Sequence, residues 1–339
     1  MTSLIVVHPT FEATWPFVAN HLYSLWQKQG EVKLIRLGDN DQRPLHEAVP
    51  DLMRVERLIA LGVPATVETI QCLPTLREVA LLREYGPQHD DSVSEKLKAR
   101  GVRTYQQSSE GFWGPSVSEF GLALTLSALR RIPQTYAAMM CADDVWHYEP
   151  RDGKGRPGAR GGQFGDDANF TNGTVEGKRV RIVGAGNIAS RYASFMHMLG
   201  ADVAVWDPFA SEPVFHRAGS RREHHLDRLV RDADIFAPMV PLTDSTRGIV
   251  TCEHIYSLPK GCLVVLVTRA LICDMSALRE RVLADEIALA ADVFDVEPLP
   301  LDDSLLGRHN VVHTPHNAGR TKEANFKWAE MLVEQFLPR

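Results

Sequence analysis

The amino-acid sequence predicts an α/β protein made of two doubly wound parallel-sheet domains. Apolar runs of strand length alternate with amphipathic segments of helix length from the first residues onward, and this alternation is typical of βαβ units. The chain has 339 residues, more than the roughly 250 to 300 at which single hydrophobic cores stop growing. The sequence therefore predicts two cores, each a parallel sheet covered by helices.

The first domain is predicted from its N-terminal elements in order. Residues 4–7 form a short apolar strand, residues 14–30 repeat apolar side chains at helical spacing, and residues 32–37 alternate like a second strand. Pro16 is tolerated in the first turn of that helix, and Gly30 ends it. Three further strands of the same unit are predicted at residues 58–60, 79–82 and 102–105.

The middle of the chain changes character twice. Residues 116–140 are rich in Leu and Ala and predict one long helix, buried or interfacial, with a kink at Pro133. Residues 151–165 hold six glycines and four basic residues, a composition that cannot pack into a core and favours a surface loop. Two interpretations of this loop stay open: an insertion without a role, or a basic lid over an anionic ligand.

The composition excludes several classes of protein. The formal net charge is −6, which argues against a nucleic-acid-binding or anionic-membrane surface. No apolar run approaches the ~18 residues of a membrane helix, and the N-terminus lacks the basic region of a signal peptide. The five cysteines are scattered without a C-x-x-C pair, so neither a disulfide framework nor a metal site is predicted. We expect a reduced, cytoplasmic protein.

A glycine-containing turn between a predicted strand and a predicted helix is the most informative motif. Residues 179–183 alternate as a strand, and residues 187–199 repeat apolar side chains as a helix. Gly184 and Gly186 lie between them. The next strand is predicted at residues 202–206, and Asp207 follows its end, 21 positions after Gly186. Strand, glycine turn, helix and correctly spaced acid together form the fingerprint of a dinucleotide-binding domain.

Each position of this motif has a physical role. Gly184 permits the tight turn, Gly186 lets the backbone approach a pyrophosphate at the helix N-terminus, and the small Ala189 lets the helix pack closely on the strand. Asp207 is expected to accept hydrogen bonds from both ribose hydroxyls and to repel a 2′-phosphate, which favours NAD over NADP. The predicted cofactor site also includes the first two helical residues, Asn187 and Ile188.

Three polar residues follow three predicted strands in the C-terminal half. Each comes shortly after a buried apolar run. In an open α/β sheet the carboxyl ends of parallel strands line the ligand crevice, so we expect the three side chains to converge there. They are Arg269, Glu297 and His316, after the strands predicted at 263–267, 288–293 and 310–313.

These motifs together resemble those of the D-isomer-specific 2-hydroxyacid dehydrogenase family. The likeness runs in order and spacing from about residue 79 to the C-terminus. It rests on GAGNIA at 184–189 with Asp207, and on residues 116–132, 237–250, 258–270, 291–299 and 313–321.

The resemblance implies the architecture of the protein. It implies a Rossmann-type NAD-binding domain at residues 114–317, inserted into a flavodoxin-like substrate domain formed by residues 1–113 and 318–339. The active site then lies in the cleft between the two domains. The resemblance also implies a homodimer that pairs through the region of the long helix.

The resemblance also assigns roles to residues. His316 takes or returns the hydroxyl proton of the substrate while a hydride moves between C2 and the nicotinamide. Glu297, bonded to the other ring nitrogen, fixes the tautomer and stabilises the imidazolium, and Arg269 offers a planar fork to the substrate carboxylate or carbonyl oxygen. Positions that the family uses for the cofactor fall on Pro241, Thr246, Thr268 and, at the nicotinamide carboxamide, Asp292.

The predicted substrate loop at residues 83–90 departs from the family pattern. The family usually grips the substrate carboxylate with backbone N–H groups of a glycine-rich loop, yet this segment keeps only Gly86, and Pro87 has no N–H. Ala270 and Asn317 also replace a glycine and an apolar residue of the family. Side chains either supply the missing donors or face solvent, and the candidates are Arg83, Tyr85, Gln88 and His89.

The sequence therefore predicts an NAD-dependent oxidoreductase that interconverts a small 2-hydroxy acid and its 2-oxo acid, as D-2-hydroxyacid dehydrogenases and glyoxylate or hydroxypyruvate reductases do. Two alternatives stay open. One is an NAD(H)-sensing scaffold without turnover, similar to the corepressors built on this fold, and the other is a dehydrogenase of another small anion such as phosphite. Glu297 speaks against formate, because the formate enzymes of the family place glutamine there.

Overall fold

The chain divides into two compact units, each with its own parallel sheet. The first unit consists of Met1–Phe112 with Arg320–Arg339, and the second of Trp113–Gly319. The predicted class, two doubly wound parallel sheets, is confirmed. The computed structural model describes residues 2–87, 89–107, 111–147 and 161–338.

The first unit contains a five-stranded sheet in the order β2-β1-β3-β4-β5. This is the flavodoxin-like order, in which the topology reverses between β1 and β3. The strands are β1 (Thr2–Val7), β2 (Val32–Arg36), β3 (Val55–Leu61), β4 (Glu78–Leu82) and β5 (Arg103–Thr104), and the helices are α1 (Pro9–Thr14), α2 (Val18–Gln27), α3 (Leu45–Ala48), α4 (Val67–Gln71), α5 (Asp91–Ala99) and the C-terminal α13 (Lys322–Val333).

The C-terminal segment is tied to the first unit by a buried ion pair. Helix α13 packs on α2. Arg57 of β3 is 1% exposed, lies 3.1 Å from a carboxylate oxygen of Glu78 and donates a hydrogen bond to the carbonyl of Leu337 at 3.0 Å. Because an unpaired charge at this depth is costly, Arg57 depends on its pairing with Glu78, and its hydrogen bond to Leu337 joins the C-terminal segment to the sheet.

The helix predicted over residues 14–30 is present as α2, and a separate short helix, α1, precedes it. Helix α1 begins earlier, because the His8 side chain accepts the hydrogen bond of a backbone N–H in the first turn and caps it. It ends at Trp15, the residue before Pro16, where a helical backbone is disfavoured. The second helix, α2, then begins three residues beyond Trp15.

The second unit contains a seven-stranded sheet in the order β12-β11-β10-β9-β6-β7-β8. Its central strands are buried on both faces, as expected for a parallel sheet covered by helices. The strands are β6 (Arg179–Val183), β7 (Asp202–Trp206), β8 (Arg221–Arg222), β9 (Ile235–Pro238), β10 (Leu263–Leu266), β11 (Ala288–Ala291) and β12 (Val311–His313), and the helices are α6 (Gly114–Leu129), α7 (Ile132–Cys141), α8 (Asn187–Met198), α9 (Glu212–Arg217), α10 (Leu226–Val230), α11 (Cys252–Ser257) and α12 (Met275–Leu283).

The prediction of one long kinked helix at residues 116–140 is wrong, because the structure has two helices there. The structure breaks it into α6 and α7, because Arg131 adopts a left-handed backbone with φ 50° that no helix can continue through. Pro133 therefore lies in the first turn of a new helix, where a missing N–H costs nothing.

The predicted glycine-rich loop at residues 151–165 falls only partly within the described chain. Residues 151–160 lie outside the described residues, and in the remainder Gln163 donates a side-chain hydrogen bond to the carbonyl of Trp146 at 3.1 Å. None of the helices in the described ranges has both the length and the apolar character needed to cross a membrane.

Candidate active site

The turn after β6 can be built only with glycine at its first position. Gly184 has φ 101°, and a Cβ there would lie 2.8 Å from Val240 Cγ1 and 3.0 Å from the Met239 carbonyl oxygen. At Gly186, the N-cap of α8, a Cβ would meet no atom within 4 Å. The first glycine therefore closes the turn, and the second leaves the N-terminus of a 12-residue helix open to an anion such as a pyrophosphate.

The first turn of α8 lies against the start of α6. A Cβ at Gly114 would lie 2.6 Å from the side-chain oxygen of Asn187, which itself accepts a hydrogen bond from Arg191 Nε at 2.9 Å. Ile188 is half-buried beside it, and Ala189 is buried in the core of the unit. A larger residue at Ala189 would push the helix off the sheet.

The carboxylate of Asp207 is held against the glycine turn. One oxygen accepts the Ala185 N–H at 2.8 Å, and the other accepts the N–H groups of Phe209 and Ala210 at 2.9 and 3.0 Å. The negative charge therefore stands at the end of β7 beside the open helix N-terminus. This is where the ribose of a dinucleotide presents its hydroxyls, so the residues present fit NAD.

The loop after β9 is shaped by its own threonines. Thr246 donates its hydroxyl to the carbonyl of Pro241 and accepts the backbone N–H of Thr243 at 2.8 Å. Thr268, buried at the end of β10, directs its hydroxyl toward the carbonyl of Pro238 at 3.5 Å. All three predicted cofactor residues of this region thus lie at or near the carboxyl edge of the sheet.

Asp292 fastens the loop that follows β12. It is fully buried just after β11. One carboxylate oxygen accepts the Thr314 hydroxyl at 2.6 Å and the Asn317 N–H at 3.0 Å, and the other accepts the Ala318 N–H at 2.8 Å. These three bonds lie on both sides of His316 in the chain.

Glu297 and His316 form a direct hydrogen bond. His316 Nδ1 lies 2.7 Å from one carboxylate oxygen of Glu297, and the other oxygen accepts the Phe294 N–H at 2.8 Å. His316 has a left-handed backbone with φ 53°, a conformation that costs about 1 to 3 kcal/mol and persists only when surrounding contacts hold it. Because Nδ1 donates to the carboxylate, Nε2 carries the free lone pair, on a ring that is 42% exposed.

Arg269 carries a positive charge at the end of β10, and no carboxylate within the described ranges pairs with it. It follows β10, precedes a short 3-10 turn, Ala270–Ile272, and donates one guanidinium N–H to the Thr268 carbonyl at 2.7 Å. Within the described ranges it forms no ion pair. Since β10, β11 and β12 are neighbours, Arg269, Glu297 and His316 stand at three adjacent strand ends, and the structure brings the last two into contact.

An arginine that the sequence analysis missed braces the loop carrying Glu297. Arg279 of α12 donates to Asp295 at 2.8 Å and to Asp303 at 3.0 Å, one carboxylate on each side of Glu297. Its hydrogen bond lowers the pKa of Asp303. The only signal in the sequence was the second aspartate of the segment DVFDVEP, and nothing in the helix pointed to Arg279.

The predicted substrate loop of the first unit is a tight hairpin after β4. Arg83 donates its backbone N–H to the Gly86 carbonyl at 3.0 Å and its Nε to the Tyr85 carbonyl at 3.1 Å. Gly86 has φ 93°, which favours glycine, and Trp15 Nε1 donates to the Glu84 carbonyl at 2.9 Å. The three residues after Arg83 donate their backbone N–H groups to no other residue that the structure describes.

The side chains of that loop have different surroundings. Arg83 and Tyr85 are exposed, and the Tyr85 ring lies edge-on to Trp15 with 6.2 Å between ring centres. His89 Nδ1 faces the hydroxyl of Ser94 at 3.1 Å, near the start of α5, and Gln88 lies outside the described residues. Across the described chain, no group of three His, Cys, Asp or Glu side chains is arranged to hold a metal ion.

Together, a glycine turn opening a helix, an acid on the next strand and an adjoining Glu–His pair define a dinucleotide-dependent oxidoreductase. A family model described as "D-isomer specific 2-hydroxyacid dehydrogenase, NAD binding domain" matches residues 122–318. The chain belongs to this family of D-isomer-specific 2-hydroxyacid dehydrogenases. NAD is its cofactor, and its reaction is the oxidation of a CH–OH group or, in reverse, the reduction of the corresponding carbonyl group. The resemblance seen in the sequence motifs is confirmed.

Named relatives span several substrates. The chain is 28% identical to the hydroxypyruvate reductase of Thermotoga maritima over 278 residues, covering 80% of this chain and 81% of that one. It is 31% identical to the D-3-phosphoglycerate dehydrogenase of Bacillus subtilis over 223 residues, covering 66% of this chain but only 38% of that protein.

Solved structures show the same fold. A phosphoglycerate oxidoreductase from Rhizobium etli superposes with a TM-score of 0.71 at 20% identity, covering 99% of this chain and 97% of that one. The apo-structure of D-lactate dehydrogenase from Escherichia coli gives a TM-score of 0.66 at 18% identity, covering 98% and 95%. At such identities the likeness concerns the fold alone.

Proposed function

We propose that this protein interconverts a small 2-hydroxy acid and its 2-oxo acid, acting as a glyoxylate or hydroxypyruvate reductase. The observation that carries the proposal is the 2.7 Å hydrogen bond between His316 and Glu297 at adjacent strand ends, next to Arg269. The hydroxypyruvate reductase of Thermotoga maritima and the glyoxylate reductase of Korarchaeum cryptofilum support the substrate class, since the matched regions cover 81% and 76% of those relatives.

In this proposal His316 handles the proton. NAD, when bound, accepts the hydride from C2 of the hydroxy acid, or supplies it to the oxo acid in its reduced form. Nε2 of His316 takes the hydroxyl proton in oxidation and returns it to the carbonyl oxygen in reduction. Glu297 holds the ring by Nδ1, so that Nε2 is the base, and its negative charge stabilises the imidazolium that forms.

Arg269 binds the substrate in this proposal. Its guanidinium has no carboxylate partner in the described part of the chain, so the fork is available to the substrate carboxylate or carbonyl oxygen. A charge-assisted hydrogen bond of this kind contributes about 1.5 to 3 kcal/mol, and a lysine cannot reproduce its planar geometry.

We further propose how the second unit holds NAD. The pyrophosphate lies against the glycine turn and the start of α8, at Gly184, Gly186, Asn187 and Ile188. Asp207 binds the adenosine ribose, and the adenosine is bordered by Pro241 and Thr246. Thr268 and Asp292 border the nicotinamide carboxamide. Asp292 already accepts three hydrogen bonds, and because a carboxylate offers about four acceptor positions, one is left for a carboxamide N–H.

A substrate panel tests the proposed function. Purified protein is assayed with glyoxylate, hydroxypyruvate, pyruvate and 3-phosphohydroxypyruvate, each with NADH and NADPH, and with phosphite and NAD. We expect the fastest turnover with glyoxylate or hydroxypyruvate and NADH. Tight NADH binding without turnover of any 2-oxo acid would contradict the proposal and favour a nucleotide-sensing scaffold, whereas turnover of phosphite alone would point to that anion.

We propose that the protein is a homodimer in which a second copy covers α7. No residue of α7 is buried, and its apolar side chains Ile132, Tyr136 and Met140 are 51%, 65% and 70% exposed, a density of apolar surface typical of interaction sites. Light scattering is expected to give twice the chain mass, and Tyr136→Glu is expected to shift it towards the monomer. A monomeric wild type would contradict this.

We also propose a cytoplasmic location. All five cysteines are unpaired, and Cys72 and Cys141 are exposed, a state that persists in a reducing compartment. Fractionation of cells that express the protein is expected to recover it with cytoplasmic markers, and recovery with an extracytoplasmic fraction would contradict the assignment.

A further inference from the structure

His8 keeps a buried hydrogen-bond donor without a partner. Its side chain is 2% exposed at the end of β1. Nδ1 accepts the Thr10 N–H at 3.2 Å and lies 2.8 Å from the Thr10 hydroxyl, so the ring proton is on Nε2. No atom in the described part of the chain accepts a hydrogen bond from that Nε2. Buried polar groups are nearly always paired, so this donor calls for an explanation.

The position of His8 in the sheet is where ligands bind in folds of this kind. Strand order 2-1-3-4-5 reverses between β1 and β3, and the crevice at that reversal opens at the carboxyl ends of the strands. His8 donates its backbone N–H to the Leu61 carbonyl at 2.9 Å, and Gly62 donates to the Leu82 carbonyl at 2.7 Å. His8, Gly62 and Arg83 therefore stand side by side along this edge.

Gly62, in the middle of this edge, packs closely against the start of α1. Gly62 has φ 70°, and a Cβ there would lie 3.1 Å from Phe11 Cβ and 3.4 Å from His8 Cβ. Any side chain at Gly62 would be strained by the positive φ and would press on Phe11, beside His8. On the far side of Gly62 begins the hairpin of residues 83–87, where the backbone N–H groups of residues 84–86 donate to no other described residue and are further donors.

We infer that His8 is the side-chain donor of an oxygen-anion subsite in the first unit, which takes the carboxylate of the 2-oxo acid; this rests on the proposed function. The Nε2 proton supplies a hydrogen bond that the glycine-poor loop at 83–90 lacks relative to the family pattern. Binding of a carboxylate oxygen removes the cost of a buried unpaired donor, which makes the site selective for acceptors. Nε2 is sealed from solvent, so binding of the carboxylate requires the residues that cover this nitrogen to move.

Two substitutions separate the two ring nitrogens. His8→Asn leaves an oxygen near the Nδ1 position, where it still accepts the Thr10 N–H, and removes the Nε2 donor. His8→Gln places an amide N–H near the Nε2 position and gives up the contact to Thr10. We expect His8→Asn to raise KM for glyoxylate by about 10- to 100-fold with little change in kcat, the worth of one hydrogen bond to a charged group. His8→Gln is expected to restore most of the affinity while lowering Tm.

Oxalate, an unreactive analogue of a 2-oxo acid, gives a readout that needs no turnover. Calorimetry with NADH-saturated protein is expected to show the same loss of oxalate affinity in His8→Asn, with NADH affinity unchanged. Unchanged KM and oxalate affinity in His8→Asn, or equal losses in both variants, would overturn the subsite and leave His8 a structural cap. If no 2-oxo acid turns over but the oxalate difference persists, the proposed function fails and the subsite stands. Absence of oxalate binding by the wild type overturns the subsite.

Discussion

The carboxyl edges of the two parallel sheets are built in different ways. On the seven-stranded sheet, the side chains that we propose take part in the reaction are held by charged groups: Glu297 holds His316, and Arg279 holds the loop of Glu297. On the five-stranded sheet, the edge consists of backbone N–H groups and the imidazole of His8, whose Nε2 has no partner among the described residues. The comparison teaches that side-chain pairing fixes one edge, as the proposed proton transfer requires, whereas the other edge keeps hydrogen-bond donors for the anion that we propose it binds.

The largest expected effect is at His316. Replacement by Gln removes the base of the proposed mechanism and should lower kcat by about 10² to 10⁴, the usual worth of a positioned acid or base. NADH affinity, measured by fluorescence, should persist. The matched control is His313→Gln, an exposed histidine at the end of the same strand, which should leave both quantities unchanged. If His316→Gln turned over within a few-fold of wild type, His316 would have no role in the mechanism. The proposed difference between the carboxyl edges of the two sheets would then fail.

A smaller effect is expected at Asp292, which holds the His316 loop. In Asp292→Asn an amide N–H₂ replaces one acceptor, so one of the three donors of residues 314–318 loses its partner. We expect a loss of about 1 to 3 kcal/mol in the free energy of unfolding and a fall of roughly tenfold in kcat, because His316 is no longer held in its left-handed backbone.

A control for Asp292 lies at the opposite edge of the same sheet. Asp234 precedes β9 and accepts hydrogen bonds from Arg179 at 2.7 and 2.8 Å. Asp234→Asn should lower stability and leave kcat unchanged. Equal losses of kcat in the two variants would show that the edge at His316 has no special rigidity.

The smallest effect concerns pH. The hydrogen bond from Arg279 lowers the pKa of Asp303 below its ordinary 3.8, so this carboxylate stabilises the fold above pH 3.8 and loses that contribution as the pH falls through the lowered pKa. Arg279→Met should therefore be less stable than wild type at pH 7, with a difference that shrinks towards pH 2 in urea unfolding, and kcat should fall several-fold.

Arg43 of the first unit gives the matching exposed pair. Its side-chain hydrogen bond lowers the pKa of Asp41 to about 2, so Arg43→Met should show the same direction of pH dependence without any change in kcat. A loss of kcat in Arg43→Met, or none in Arg279→Met, would contradict the assignment of the bracing role to the second unit.

Many elements of the fold could be predicted from local sequence patterns. The strands predicted at residues 179–183 and 202–206 coincide with β6 and β7, because alternation of apolar residues and a glycine turn are signals within a few positions of one another. The same holds for the order of Arg269, Glu297 and His316 after successive strands. The single helix predicted at residues 116–140 failed, because a left-handed residue such as Arg131 has no compositional signature.

The sequence by itself determined the class of fold, the cofactor and the family, and it predicted which side chains react, since each of these depends on residue type and short spacing. Only the tertiary structure decided how those side chains are held: by Asp292 from the neighbouring strand, by Arg279 from a helix, and, in the other unit, how Nε2 of His8 came to be buried without a partner. The reason is physical. Whether a polar group is buried and whether it finds a hydrogen-bond partner depend on contacts between segments that are far apart in the sequence. No single stretch of the chain specifies those contacts.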